Sequence, residues 1–371
     1  MTFIPVNEPL LDGNERKYLN ECIDSGWISS EGPFVTRFED EMARVCGRRF
    51  GVAVCNGTVA LEAAVTALGI GEGDEVILPA FTIISCAAAI VRAGAVPVVV
   101  DSDPATWNVD VAAIEKKITA RTKAIMVVHT YGLPADVDPI LDIAKRHGLL
   151  VIEDAAESHG LTYRGRPCGS FGTISTFSFY PNKLVTTGEG GMILTDDEQL
   201  AERCRSLRNL CFVPQRRFVH EDLGFNFRLT NLQAALGVAQ LEKLEATVRR
   251  KREIGARYQK LLANVRGIQL PIASTEYAEN IYWVFGVVLD DSVPFDAPAA
   301  MKMLAEREVG TRPFFWPMHE QPVLRGMGWF EGERYPVAER LARRGFYLPS
   351  GVALRDEQID AVAARVKEVL A

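Results

Sequence analysis

Between about Phe50 and Met192, short apolar runs alternate with longer segments whose apolar residues recur at helical spacing. Seven runs predict strands, at residues 51–55, 75–78, 96–101, 124–129, 149–153, 174–178 and 191–195. The run Val96-Pro97-Val98-Val99-Val100 is apolar at every position, so neither face is built for water. Strands covered on both sides belong to a largely parallel sheet with helices above and below. Residues 58–68 are alanine-rich and predict a helix capped by Asn56 or Thr58, and 139–147 predict another that stops at Gly148. Residues 232–258 predict one long helix, bent near Glu245, that carries the chain onward.

The last third changes character. Residues 281–288 predict a strand, 297–308 a helix ending before Gly310, and 356–370 a terminal amphipathic helix. Between them, Arg312-Pro313-Phe314-Phe315-Trp316-Pro317-Met318-His319 predicts an aromatic, proline-rich loop. The expectation is a large α/β domain over 1–245 and a smaller α+β domain over 246–371.

Composition narrows the function classes. A chain of 371 residues that is 48% hydrophobic has material for a large core. A formal net charge of −7 speaks against a nucleic-acid partner. The basic clusters Arg249-Arg250-Lys251-Arg252 and Arg343-Arg344 sit in helical sequence and predict solvated helix faces. No apolar run reaches the ~20 residues needed to span a bilayer, and the first residues lack a secretory pattern. The 7 cysteines are scattered and never spaced Cys-x-x-Cys, which predicts reduced thiols in a cytoplasmic protein. The 5 histidines show no paired spacing, so no metal is expected.

The candidate chemistry lies in Ser178-Phe179-Tyr180-Pro181-Asn182-Lys183, followed by a Gly188-Glu189-Gly190-Gly191 turn. A lysine amine forms an imine with an aldehyde cofactor and then works as an acid–base group. A lone lysine would be a surface residue; a hydroxyl-bearing strand before it and a glycine turn after it favour the catalytic role. Asp154 ends the apolar strand Leu150-Val151-Ile152-Glu153, where ligands of open α/β sheets bind, and could keep a pyridine nitrogen protonated; its plain alternative is a helix cap. Glu157 and His159 follow on the same loop, within reach of a cofactor ring and a sugar, or serving only as turn contacts. Cys55-Asn56-Gly57-Thr58 links a strand to a helix, and its glycine and free helix N–H groups suit an anion; Thr58 and Ser178 could add hydroxyls to the same phosphate. Phe225-Asn226-Phe227-Arg228-Leu229-Thr230 is a helix start, or a segment reaching into a neighbouring subunit's site.

With Trp27-Ile28-Ser29-Ser30, Asn56-Gly57-Thr58, Glu153-Asp154-Ala155-Ala156-Glu157 and Gly224-Phe225-Asn226-Phe227-Arg228 added to the lysine run, nearly the whole chain resembles the StrS/DegT-type nucleotide-sugar aminotransferases. The resemblance implies the aspartate-aminotransferase fold (fold type I) and pyridoxal 5'-phosphate as cofactor. It implies that Lys183 is the Schiff-base lysine, that Asp154 pairs with the ring nitrogen, and that Gly57, Thr58 and Ser178 bind the phosphate. Asn226 would bind it from the partner subunit, making a homodimer with shared active sites the minimum unit. Two positions depart from the pattern. Glu157 stands where many relatives carry glutamine, and a second carboxylate alters the local charge. Ile83 stands where an aromatic often covers the ring, with Phe81 on the same face if the segment is extended.

The segments Gly26-Trp27-Ile28-Ser29-Ser30 and 311–319, with Glu157, draw the resemblance toward members acting on a GDP-linked 4-keto-6-deoxymannose, with glutamate as amino donor. Arg312 and Arg228 are candidates for the diphosphate, and His159 and His319 for the sugar. The alternatives are a UDP- or dTDP-linked keto sugar, or a noncatalytic protein that binds the cofactor for regulation. A sugar dehydratase of this fold would replace Lys183 with histidine.

Overall fold

Apolar runs that avoid water on both faces need cover on both sides, and in the computed structural model, which describes residues 3–371, they lie side by side in one sheet. Two helices, α1 (Glu15–Ser25) and α2 (Pro33–Cys46), precede β1 (Phe50–Val54). Then come α3 (Gly57–Ala67), β2 (Glu75–Pro79), α4 (Ile84–Arg92), β3 (Val96–Val100), β4 (Thr122–Val128) and β5 (Leu150–Asp154). A small hairpin of β6 (Thr162–Tyr163) and β7 (Arg166–Pro167) leads to β8 (Ile174–Ser178) and β9 (Gly191–Thr195). Apart from the hairpin, these strands form one sheet in the order β1-β9-β8-β5-β4-β2-β3. Strands β3, β2, β4, β5 and β8 run parallel, while β9 is antiparallel to both its neighbours. All seven predicted strands are present, each within about two residues of its expected bounds. Asn56, not Thr58, caps α3, accepting from Val59 N at 3.0 Å. The helix Val137–His147 ends as expected at Gly148, whose φ of 65° is left-handed.

The bend expected near Glu245 is a full interruption. The predicted long helix is two helices, Asn231–Leu241 and Leu244–Leu262, broken at Glu242-Lys243. No glycine or proline marks the break. Its cause is tertiary: the Glu242 carboxylate accepts from Tyr18 Oη at 2.6 Å, from Asn14 Nδ2 at 2.6 Å and from Arg37 at 3.1 Å. The turn is thereby pinned to α1 and α2. The basic cluster 249–252 is not uniformly solvated either. Lys251 is 3% exposed, and its ammonium donates to the carbonyls of Trp283 (2.9 Å) and Ser350.

A second, four-stranded antiparallel sheet has the order β10-β11-β13-β12, from β10 (Ile268–Gln269), β11 (Phe285–Leu289), β12 (Arg312–Pro313) and β13 (Gly345–Leu348). Strand β11 starts later than predicted. Ile281 N is taken by Gly132 O, and Tyr282 turns to a φ of 51°, so 281–284 cross the large sheet's loops before pairing begins. The expected loop at 312–319 contains β12 and a single 3-10 turn, Met318–Glu320. Tyr258, Phe285, Val287, Ile359 and Val366 form the core beneath this sheet, separate from the larger core of the seven-stranded sheet. Among the described residues no helix is long and apolar enough to cross a membrane.

Candidate active site

The carboxyl ends of parallel strands are where backbone turns leave room for ligands. Here β5 delivers two adjacent acids there, and the strand's alternation sends them to opposite faces. Glu153 is fully bonded, to Gly169 N, to Phe171 N at 2.8 Å and to His129 Nε2 at 2.9 Å. Asp154, on the other face, lines a cavity of about 700 Å³. Its Oδ1 accepts from Ala156 N at 3.0 Å and its Oδ2 from the Cys86 thiol at 3.2 Å.

The neighbouring β8 brings Thr176 and Ser178 to the same cavity, and the turn after it returns Lys183. Lys183 N bonds Tyr180 O at 2.9 Å, fixing that turn. Its side chain is 10% exposed, with Nζ 4.0 Å from Glu157 Oε1 and 3.9 Å from the centre of the Trp283 ring. Trp283 is held by its indole N–H, which donates to Asn182 O at 2.9 Å. Glu157 Oε2 accepts from Tyr131 N at 2.8 Å, a contact made by a backbone with φ 56°. Burial pushes Asp154 above the usual carboxylate range and Glu157 up to about 7, against the pull of the Lys183 charge. Burial likewise holds the Lys183 amine below its ordinary value, although both carboxylates favour its charge.

The third wall is the N-terminus of α3. A Cβ on Gly57 would lie 2.6 Å from Ser178 Cβ, so only glycine lets these two elements meet. Thr58 Oγ1 lies 2.8 Å from Ser85 Oγ at the start of α4. Two buried oxygens on the cavity wall, Thr176 Oγ1 and Asn182 Oδ1, have no partner among the described residues.

Of the residues expected from sequence, Gly57, Thr58, Ile83, Asp154, Glu157, Ser178 and Lys183 share this cavity. Others lie elsewhere. Phe81 is fully buried against Tyr131, Phe314 and Phe315, because β2 stops at Pro79 and the alternation that would have put Phe81 beside Ile83 stops with it. Ile83, 40% exposed, forms that wall. His159 is buried between Phe177 and Phe179, and burial, with the Lys183 charge adding, holds it down to about 3, so it is a neutral core residue. His319 is buried beside Tyr335 with Nε2 3.1 Å from Glu339. The Arg228 guanidinium donates to Asn209 Oδ1 at 2.8 Å, and Arg312 is exposed, next in register to the cavity residue Tyr347. Asn226 is exposed and outside the cavity of its own chain. The residues missed were Cys86, Tyr131, Thr176, Asn182, Trp283 and Tyr347. Only Asn182 lay inside a motif already singled out. Thr176 and Cys86 lie within three residues of the expected Ser178 and Ile83, and Tyr131, Trp283 and Tyr347 come from segments distant in sequence. A second cavity of about 750 Å³, between α2, the β6–β7 hairpin and the helix Leu244–Leu262, takes in none of the expected residues.

A free buried amine, a carboxylate facing it, and a helix N-terminus within one cavity fit a cofactor with an aldehyde, a basic ring nitrogen and a phosphate. The fold and this donor set define a fold type I pyridoxal-phosphate enzyme. The chain matches the DegT/DnrJ/EryC1/StrS aminotransferase family over residues 9–367 and belongs to it. It is a pyridoxal-phosphate-dependent aminotransferase. It is 45% identical to the GDP-perosamine synthase of Caulobacter vibrioides over 369 residues, covering 99% of this chain and 98% of that one. The structure of DesV from S. venezuelae is similar at 34% identity with a TM-score of 0.91, covering 99% of this chain and 98% of that one. DesI, solved in the presence of its TDP-sugar product, is similar at 31% identity with a TM-score of 0.89, covering 99% of this chain and 93% of that one.

Proposed function

We propose that the protein transfers the amino group of glutamate to C4 of a GDP-linked 4-keto-6-deoxymannose, giving GDP-perosamine and 2-oxoglutarate. The observation that carries the reading is the buried Lys183 amine facing Asp154 and Glu157 in one cavity; the similarity to GDP-perosamine synthase supports the substrate. When bound, pyridoxal phosphate supplies an aldehyde and an electron-accepting ring that stores the amino group between the two half-reactions.

In this reading Lys183 Nζ takes the proton from the glutamate α-carbon and, in the second half, delivers one to C4 of the sugar. Its burial suits that work, since a desolvated amine gives up its proton more readily. Glu157, 4.0 Å away and pushed up by burial, is placed to exchange a proton with Lys183. Asp154 keeps a proton on the ring nitrogen. Gly57, Thr58 and Ser178 would hold the phosphate near the α3 N-terminus, and Ile83 would line the ring's pocket. Trp283 limits water at Lys183.

The active unit is proposed to be a homodimer acting in the cytoplasm. Asn226, exposed and away from its own cavity, would reach the partner's phosphate site. Exposed apolar side chains support such an interface: Trp27 and Ile28 are 49% and 52% exposed, Phe218 and Leu223 81% and 88%. Arg312, beside Tyr347, is the candidate for the diphosphate.

The similarity to DesI keeps a dTDP-linked sugar as the second reading. The loaded enzyme, given glutamate and GDP-, UDP- or dTDP-linked 4-keto-6-deoxy sugars, should form a 4-amino product and 2-oxoglutarate with the GDP compound, read by mass spectrometry. Product from another nucleotide alone would overturn the GDP assignment. No product and no 2-oxoglutarate with any of them would favour a passive cofactor-binding regulator.

A further inference from the structure

Asp154 has a neighbour that none of the roles above uses. Cys86 lies in the first turn of α4, wholly buried, with its sulfur 3.2 Å from Asp154 Oδ2. Thr82, also buried, places Oγ1 3.5 Å from the same sulfur. The flanking Ala87 and Ala89 are buried as well, so a small apolar side chain would fill the space at Cys86. A buried cysteine often does no more than that. This one differs in its distance to a carboxylate that, among the described residues, has just one other protein donor, Ala156 N.

The direction of the bond follows from burial. Desolvation pushes the Cys86 thiol well up, with the negative Asp154 adding, so the sulfur keeps its proton and is the donor. Thr82 can then donate to the sulfur, and the S–H to Oδ2, so that the chain of donors ends on the carboxylate. A thiol is a weak donor. It orients Oδ2 while stabilising the carboxylate charge less than a hydroxyl would, which leaves Asp154 the stronger base.

We propose that Cys86 is a positioning residue for the transamination: its S–H aims Asp154 Oδ2 and sets how tightly that carboxylate holds a proton. The proposal rests on the reading of Asp154 as partner of the ring nitrogen.

The test compares Cys86→Ala and Cys86→Ser with wild type, first without cofactor. Infrared difference titration with 13C-labelled aspartate reads the ionisation of Asp154 directly, with Asp154→Asn identifying its band. Removing the donor should move the midpoint up, and a hydroxyl should move it down. In the loaded enzyme Cys86→Ala should lose about tenfold in kcat, the effect of one hydrogen bond to a charged group, and Cys86→Ser should recover most of it. Equal midpoints in wild type and Cys86→Ser would overturn the proposal, and so would a serine variant whose kcat is as low as that of alanine. If Cys86→Ala does not fold, the Cys86→Ser midpoint alone decides. Full turnover in Asp154→Asn would instead defeat the reading of Asp154, and the cofactor-free titration would still decide whether Cys86 acts on it.

Discussion

Two lysines in this molecule are deeply buried, and burial holds both below their ordinary proton affinity. They are wired differently. Lys251 donates to two backbone carbonyls, Trp283 O just before β11 and Ser350 O just after β13, and so joins the helix Leu244–Leu262 to one end of the small sheet. Lys183 has an aromatic face and a carboxylate at 4.0 Å, and its amine opens on the cavity. The two meet at Trp283, whose carbonyl receives Lys251 and whose ring covers Lys183. Desolvation alone therefore does not make a lysine catalytic. What matters is whether its donors are already spent on fixed acceptors. The adjacent acids differ in where they face: Glu153 is held by two backbone N–H groups and His129 inside the fold, whereas Asp154, with one backbone N–H and a weak thiol donor, borders the cavity.

The comparison is tested most severely by exchanging the roles. Lys183→Ala should lower turnover by at least ~10³-fold while leaving thermal stability near wild type. Lys251→Met should do the reverse, destabilising by about 1–3 kcal/mol because two buried carbonyls lose their donor. That cost should grow with pH. Lys251 in the fold sits at about 7, below its unfolded value, so wild-type stability rises from about pH 7 toward the ordinary lysine range, and the methionine variant lacks the rise. Urea melts at pH 6 and pH 9 check this.

Gly57→Ala sharpens the account of the α3 wall. Its Cβ would overlap Ser178, and pyridoxal-phosphate affinity should fall about tenfold or more, measured by equilibrium binding. The smallest effect is expected of Glu157→Gln. Glu157 in the fold titrates at about 7, above its unfolded value, so wild-type stability falls as the pH rises from the ordinary glutamate range to about 7. The glutamine variant should lose that fall, read by urea melts of the cofactor-free protein across the same pH range.

The sequence made the large sheet legible because its strands are apolar runs bounded by turn residues, a signal held within each segment. The same holds for Gly57, Asp154, Ser178 and Lys183, which sit at strand ends or in the turns that follow. What was not legible depends on contacts between distant segments. The helix expected to bend near Glu245 is interrupted outright at Glu242-Lys243, because Asn14, Tyr18 and Arg37 hold Glu242 from α1 and α2. The burial of Lys251 within a run of arginines depends on carbonyls 32 and 99 residues away. His159 and His319 carried chemistry by residue type alone, and packing placed both inside the core. Phe81 was misjudged because alternation was extended past the end of β2.

The central claim is that Lys183 and Asp154 form a working transamination site for a GDP-linked keto sugar. The most direct measurement is the visible absorption spectrum of the protein loaded with pyridoxal phosphate, followed through additions of glutamate and then of GDP-4-keto-6-deoxymannose. The account predicts a band that glutamate bleaches and the sugar restores, and that Lys183→Ala cannot form. A wild-type band unchanged by glutamate, or the same band in Lys183→Ala, would contradict it.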